Sequence, residues 1–419
     1  MTMFAPPDPG TRVPPPDEAT GGALMRLVPV LLVFAALWLW RGWTTVAVIL
    51  LILFMVFMHE LGHYTTARMA DMKVTQFFIG IGPKIWSFRR GETEYGLKAV
   101  PVAAYVKTIG MYAVEPVDPA EESRTYRSKT TGQRVLMASA GSLMHFLMAL
   151  VATLVLVLSV GMPSSKHYSV SQVTPNSPAA QAGLRSGDRI IAVDGERLDD
   201  WNDVTQRIRG SQGRALDLTV KRGDGTFNTT VVPVVTTIAG SQAYRIGLST
   251  EPDTETGSIG DALSGYGEMF KDNTVGLVKL FSPSGISKYA NTVTNNDQAN
   301  SNTGGTTNGS GSSAQVEDRP SSVIGIVDIG SKLFDDGWVG VLSFFVAINI
   351  GIGLINLFPM LPFDGGHIAV ALYEGARSRK GKRYYVDVNK LMPATYAVVT
   401  VMGMLALSAM YLDVTRGVP

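Results

Sequence analysis

The chain contains no cysteine in 419 residues, which excludes both a disulfide framework and a thiolate-bound metal. Histidine is scarce as well, five in all, so any metal must be held by a few imidazoles together with carboxylates. Charged residues make up only 17% of the chain and leave a net charge of +1. No strongly basic or acidic field is present, and nucleic acid is not an expected partner. What the chain does have is apolar residues, 46% of the total, and they are unevenly spread. Stretches without charge run over Leu27–Trp40, Trp43–Met58, Val135–Val160, Trp338–Phe358 and Thr395–Met410. Several approach the ~20 residues that cross a bilayer. The pattern predicts a polytopic α-helical membrane protein: four core transmembrane helices, an extra N-terminal helix, and one soluble insert.

One of these stretches carries chemistry. It ends Phe54-Met-Val-Phe-Met-His59-Glu60-Leu-Gly-His63. Residues four apart share a helix face, so His59 and His63 can bind one Zn²⁺ while Glu60 acts on a water that the metal polarises. Two core histidines one turn apart would give the same spacing. Ionisable groups in an apolar span are expensive, however, and by default functional. Two ligands do not complete a catalytic zinc site, which takes three from the protein and leaves a position open.

The remaining segments follow in order. Residues 1–24 are rich in proline and glycine and are expected to be a disordered tail. Residues 25–42 form an extra apolar segment, either a partial or complete membrane helix or one lying at the interface. Within the first part of the membrane domain, 43–160, the runs Val74–Trp86 and Glu94–Tyr105 flank Arg89-Arg90-Gly91-Glu92 and read as a hairpin. Gly80, Gly82, Pro83 and Pro101 suit an irregular backbone dipping toward the membrane. Lys98 and Val100, on the second strand, are candidates for pairing with a substrate backbone by strand addition; an amphipathic hairpin lying on the membrane surface accounts for the same residues. His145 lies in the next apolar helix and needs a partner there. It could support the zinc site, bond a substrate, or simply be satisfied by packing.

From 166 to 250 the composition becomes soluble. The run from Ser177 to Gly195 resembles a PDZ domain of the bacterial protease-associated kind, which binds extended peptides or protein segments at a sheet edge. Residues 258–288 show apolar spacing of an amphipathic helix, and 289–321, rich in Asn, Gly and Ser, is expected to be a disordered loop. Residues 322–419 form the second part of the membrane domain.

Orientation follows from basic residues. Eleven Lys and Arg lie between Arg68 and Arg134 and five between Arg377 and Arg383, so both loops are expected in the cytoplasm and the PDZ region outside it. The helices ending in His63 and in Phe358 then both run inward. The second leads into Asn356-Leu-Phe-Pro359-Met-Leu-Pro362-Phe-Asp364-Gly365-Gly366-His367, where prolines and glycines break the helix. Asp364 is the expected third ligand, at the same depth as the two histidines, with His367 as a competing donor.

These motifs, in this order, resemble the bacterial site-2 proteases, the intramembrane zinc metalloproteases that include the sigma-E regulator protease, and most closely their actinobacterial branch. The resemblance implies His59, His63 and Asp364 as zinc ligands, Glu60 as general base and acid, and Asn356 as a substrate-positioning residue. It also implies cleavage of the transmembrane segment of a single-pass protein, such as an anti-sigma factor, within the plasma membrane and after an earlier external cut. The chain departs from the family pattern at Pro101-Val-Ala103-Ala104, where a Gly-Gly pair is common, and at Gly141-Ser-Leu-Met-His145, where many members have Gly-Pro-x-x-Asn. A catalytically inactive PDZ adaptor and another membrane-embedded metallohydrolase, such as a prenyl-protein protease, are the alternatives. An adaptor has no need of Glu60 or the ligands, and the PDZ insert disfavours the hydrolase.

Overall fold

The computed structural model describes residues 20–111, 115–198, 200–238, 241–294, 322–335, 337–378 and 383–416. In chain order they form α1 (Thr20–Arg41), α2 (Trp43–Met69), β1 (Val74–Arg90), β2 (Thr93–Thr108), α3 (Thr131–Val155), β3 (Met162–Val173), α4 (Pro178–Gln181), β4 (Arg189–Val193), β5 (Glu196–Arg197) and α5 (Trp201–Gly210). Then come β6 (Leu216–Arg222), β7 (Gly225–Val231), β8 (Val234–Ile238), β9 (Ser241–Arg245), β10 (Leu248–Glu255), α6 (Ile259–Leu280), α7 (Pro283–Thr294), α8 (Val323–Asp335), α9 (Trp338–Asn356), α10 (Asp364–Arg377) and α11 (Met392–Arg416). The chain divides into two compact units, one including residues 20–153, 264–294 and 322–416, the other residues 154–263.

The first unit contains helices long and apolar enough to cross a membrane. Among the described residues four such spans occur, Trp43–Met69, Thr131–Val160, Trp338–Asn356 and Met392–Thr415. Each contains a long window that is predominantly apolar, as expected where the surrounding solvent is hydrocarbon rather than water. The apolar part of α1, Leu27–Arg41, is shorter. That helix runs through Pro29 and begins at Thr20, so the end of the expected tail is helical, because each added turn is cheap once a helix has nucleated. Residues 1–19 lie outside the described residues.

The helices of this unit pack through Ala149, Ala152, Val346 and Ile350, with Tyr266 and Phe270 of α6 against them. The expected loop from 289 begins later than composition suggests: α7 continues to Thr294, held to α11 by a hydrogen bond between the Tyr289 and Ser408 hydroxyls at 2.7 Å. Residues 295–321 of that loop lie outside the described residues. Helix α8 is amphipathic, with Asp328 and Lys332 paired at 3.0 Å on one face.

Strands β1 and β2 are long and bent, and their register doubles back. Phe77 is opposite Val106 on one side and Tyr95 on the other, and Leu97 is opposite both Ile79 and Trp86. The two strands therefore make a small sheet of four rows, ordered 84–90, 93–98, 74–79, 104–108. The tip is tied to α2 because Glu92 takes bonds from Arg68 at 3.1 Å and from both terminal nitrogens of Arg124 at 2.7 and 2.6 Å.

The second unit is built on a four-stranded antiparallel sheet ordered β5-β4-β6-β7. Leu216, Leu218 and Val220 of β6 point inward at period two, toward Val204 and Ile208 of α5. Its first and last strands, β3 and β10, pair antiparallel from Leu248 opposite Val173 to Glu255 opposite Met162. The paired strands thus reach beyond the 166–250 bounds read from composition, since Met162-Pro-Ser-Ser165 and Glu251-Pro-Asp-Thr-Glu255 carry no hydrophobic alternation.

Candidate metal centre

Helices α2 and α3 approach closely because glycines meet the opposite helix. A Cβ on Gly62 would lie 2.6 Å from the Ala140 carbonyl oxygen, and one on Gly141 would lie 2.3 Å from the His59 ring. Gly141 is therefore the seat of His59, and α3 can come no nearer with any larger residue. The third element arrives through the broken helix end. After α9 stops at Asn356, residues 357–363 turn back and α10 starts on Asp364. Gly365 and Gly366 press against that turn, where a Cβ would meet the Leu357 carbonyl oxygen at 2.2 Å and the Leu361 amide nitrogen at 2.4 Å. The glycine pair thereby holds Asp364 at the α2–α3 crossing.

Three donor atoms converge there. His59 Nε2 and His63 Nε2 are 3.1 Å apart, and Asp364 Oδ2 is 3.3 Å from the first and 3.2 Å from the second. Both histidines are buried. The His63 Nδ1–H donates to the Met137 carbonyl at 2.7 Å, which leaves its Nε2 lone pair turned toward the other two donors. Asp364 Oδ2 is buried without a hydrogen-bond donor of its own. Three lone pairs facing one another in a buried space call for a cation. Tetrahedral zinc ligands at 2.0–2.1 Å would lie about 3.4 Å apart, close to the separations here, so the residues fit the metal. Among the described residues, neither His145 nor His367 joins this group. His367 lines the adjoining cavity of about 170 Å³, together with Glu60, His63, Tyr105, Val106 and Asp364.

The family model for "Peptidase family M50" matches residues 47–400. The chain belongs to peptidase family M50. It is 34% identical over 393 residues to zinc metalloprotease Rip1 of Mycobacterium tuberculosis, covering 86% of this chain and 94% of that protein. It is also 24% identical over 413 residues to the regulator of sigma-W protease RasP of Bacillus subtilis, at 80% and 91% coverage. Among solved structures, a PDZ domain of an SdrC-like protein from Listeria monocytogenes is 22% identical over 21% of this chain and 90% of that one, with a TM-score of 0.18. As an M50 peptidase the chain is a zinc metalloprotease and a multi-pass membrane protein.

The other residues singled out from the sequence of this M50 member are placed as follows. Lys98 and Val100 already have neighbours, Lys84 and Ile81, within the sheet, and the Lys98 ammonium stands 4.7 Å from the Tyr105 ring centre. The row beside the cavity is instead 104–108, which has one strand neighbour, and the Val106 amide faces Glu60. Asn356 is half-buried at the end of α9. His145 is 1% exposed and its Nδ1 lies 2.7 Å from Asn349 Oδ1. Asn349, 0% exposed, escaped the sequence reading because it belongs to no motif. An amide in the middle of an uncharged apolar run, away from the helix end that holds Asn356, was the available signal.

Proposed function

We propose that this M50 peptidase cuts peptide bonds within the transmembrane segments of single-pass proteins, with His59, His63 and Asp364 holding zinc and Glu60 moving the proton. The observation that carries this reading is the buried convergence of those three donors beside Glu60, toward the C-terminal ends of α2 and α9, two helices apolar enough to span a membrane. Zinc held there would supply Lewis acidity toward the scissile carbonyl and toward water. Glu60 takes a proton from the attacking water and returns it to the departing amine. The Val106 amide bonds the Glu60 carboxylate, and the open edge of residues 104–108 on either side of it bonds the unwound substrate backbone, whose donors and acceptors are costly in lipid unless paired. Asn356 fixes a further stretch of that backbone. The distribution of Lys and Arg supports a site near the cytoplasmic face of the plasma membrane and a PDZ region outside. The name of RasP, regulator of sigma-W protease, supports a regulator of a sigma factor as one substrate class, consistent with the anti-sigma factor that the family resemblance implies, and the PDZ region supports a peptide or protein partner at its sheet edge.

The test joins metal analysis of purified protein to cleavage of a model transmembrane substrate. Glu60→Gln should retain one zinc per chain and lose at least ~10² in turnover. Asp364→Ala should lose the metal. Zinc retained by Asp364→Ala would transfer the third position to His367 or His145, and near-normal turnover by Glu60→Gln would remove it from the reaction.

A further inference from the structure

A histidine that binds a metal through one ring nitrogen generally gives its other N–H to an acceptor, which fixes the tautomer and the ring plane. His63 follows the rule through Met137. His59 does not: its Nδ1 is buried and has no hydrogen-bond partner. A second imidazole nitrogen nearby is in the complementary condition. His145 Nε2 is also buried without a partner, and the His145 and His59 ring centres are 5.1 Å apart.

The tautomer of His145 follows from its neighbour. The Asn349 side-chain Nδ2 donates to the Phe345 carbonyl at 2.7 Å, so the amide orientation is set and Oδ1 is the atom facing His145 at 2.7 Å. An acceptor there requires the proton of neutral His145 to sit on Nδ1. Nε2 is then a lone pair. His59, if it ligates through Nε2, carries its proton on Nδ1. One buried donor and one buried acceptor therefore lie on neighbouring rings with centres 5.1 Å apart and planes 46° to each other, and leaving both unmade costs the desolvation of two polar groups.

We propose that His145, oriented by Asn349, is the positioning residue for His59, accepting the His59 Nδ1–H in the metal-loaded protein and so completing a relay Phe345 carbonyl, Asn349 amide, His145, His59. This rests on the reading of His59 as a ligand. It also gives Asn349, a polar side chain in an otherwise apolar span, a reason to be there.

Zinc affinity, measured by competition with a chelator on folded protein in detergent, tests it. His145→Phe, which keeps the ring and removes the acceptor, should weaken zinc binding ~10–100-fold. His145→Gln, whose Oε1 reaches the position of Nε2, should restore most of that loss. Asn349→Leu should weaken binding as well and add little to His145→Phe, while Val346→Ala, which only loosens packing on the same helix, should lower thermal stability without changing zinc affinity. Should His145→Phe not fold, a structure of the zinc-loaded wild-type protein decides: His145 Nε2 within hydrogen-bond distance of His59 Nδ1 supports the relay, and a separation that excludes it overturns it. Unchanged affinity in folded His145→Phe, or equal losses in the Phe and Gln variants, would also overturn it. If the His59→Ala variant holds zinc as tightly as the wild-type protein, the ligand reading itself has failed instead.

Discussion

Single side chains set the depth at which chemistry can occur in this protein. Arg134 at the start of α3 is 7% exposed and pairs with Glu374 of α10, 5% exposed, while Glu374 Oε1 also accepts the Val386 amide at 2.7 Å. Because α10 begins with Asp364, this pair ties the carboxylate's helix to the histidines' neighbour. Removing one partner of a buried pair costs about 3–5 kcal/mol, whereas replacing both with apolar residues costs far less. Glu374→Ala should therefore lower stability in denaturant titrations by that amount and weaken zinc retention, and the double change Arg134→Met with Glu374→Leu should recover most of the stability. A second ion pair makes a pH-dependent prediction. Asp188 is 0% exposed and is gripped by Arg222 Nε and Nη2 at 2.6 and 2.7 Å. Burial would raise its carboxyl, but the Arg222 bonds and the Arg185 amide outweigh that and hold it below the usual range. A depressed folded-state value means the stabilisation is full above the unfolded value of about 3.9 and is lost as pH falls below it. Asp188→Asn should thus lower the melting temperature at pH 7, with the gap to wild type closing at pH 3.

At the scale of elements, spacing in the sequence foretold more than pairing did. Two histidines one turn apart, a helix broken by Pro359 and Pro362, and two apolar strands around Gly91 could all be read directly, since each depends on neighbours in the chain. The folding of β1 and β2 into four rows could not, because it depends on bends at Gly80 and Gly82, both at positive φ, and on contacts between residues far apart. Lys98 and Val100 are paired within the sheet, and under the proposed function the edge that meets substrate is residues 104–108. Proline at Val106 removes the amide that faces Glu60 and should cut turnover of a transmembrane substrate at least ~10-fold while zinc content stays at one per chain. Proline at Lys98, inside the sheet, should lower folded yield instead. Normal turnover by Val106→Pro would leave the edge without a role.

Over the whole molecule, the strand-rich part of the second unit is an insertion whose two ends lie side by side. Glu255 of β10 is opposite Met162 of β3, and the flanking Gly257 amide bonds to the Val157 carbonyl at 3.2 Å. A chain leaving at one point and returning beside it can be cut out and bridged by a few flexible residues with little loop-closure cost. The site residues His59, Glu60, His63 and Asp364 all belong to the other unit, as do the Met137 carbonyl and Gly141 that position them. Replacing Met162–Glu255 by a short Gly-Ser linker should therefore leave zinc content unchanged. The Lys and Arg distribution supports an external place for the insertion, where its bulk would meet the outer domain of an approaching substrate before the transmembrane segment meets Glu60. If the insertion acts there as a size filter, the deletion should cleave untrimmed substrate that the full chain rejects, at rates within ~10-fold of those for trimmed substrate. A deletion that remains folded and zinc-loaded but no longer cleaves trimmed substrate would show that the insertion docks substrate rather than excluding it.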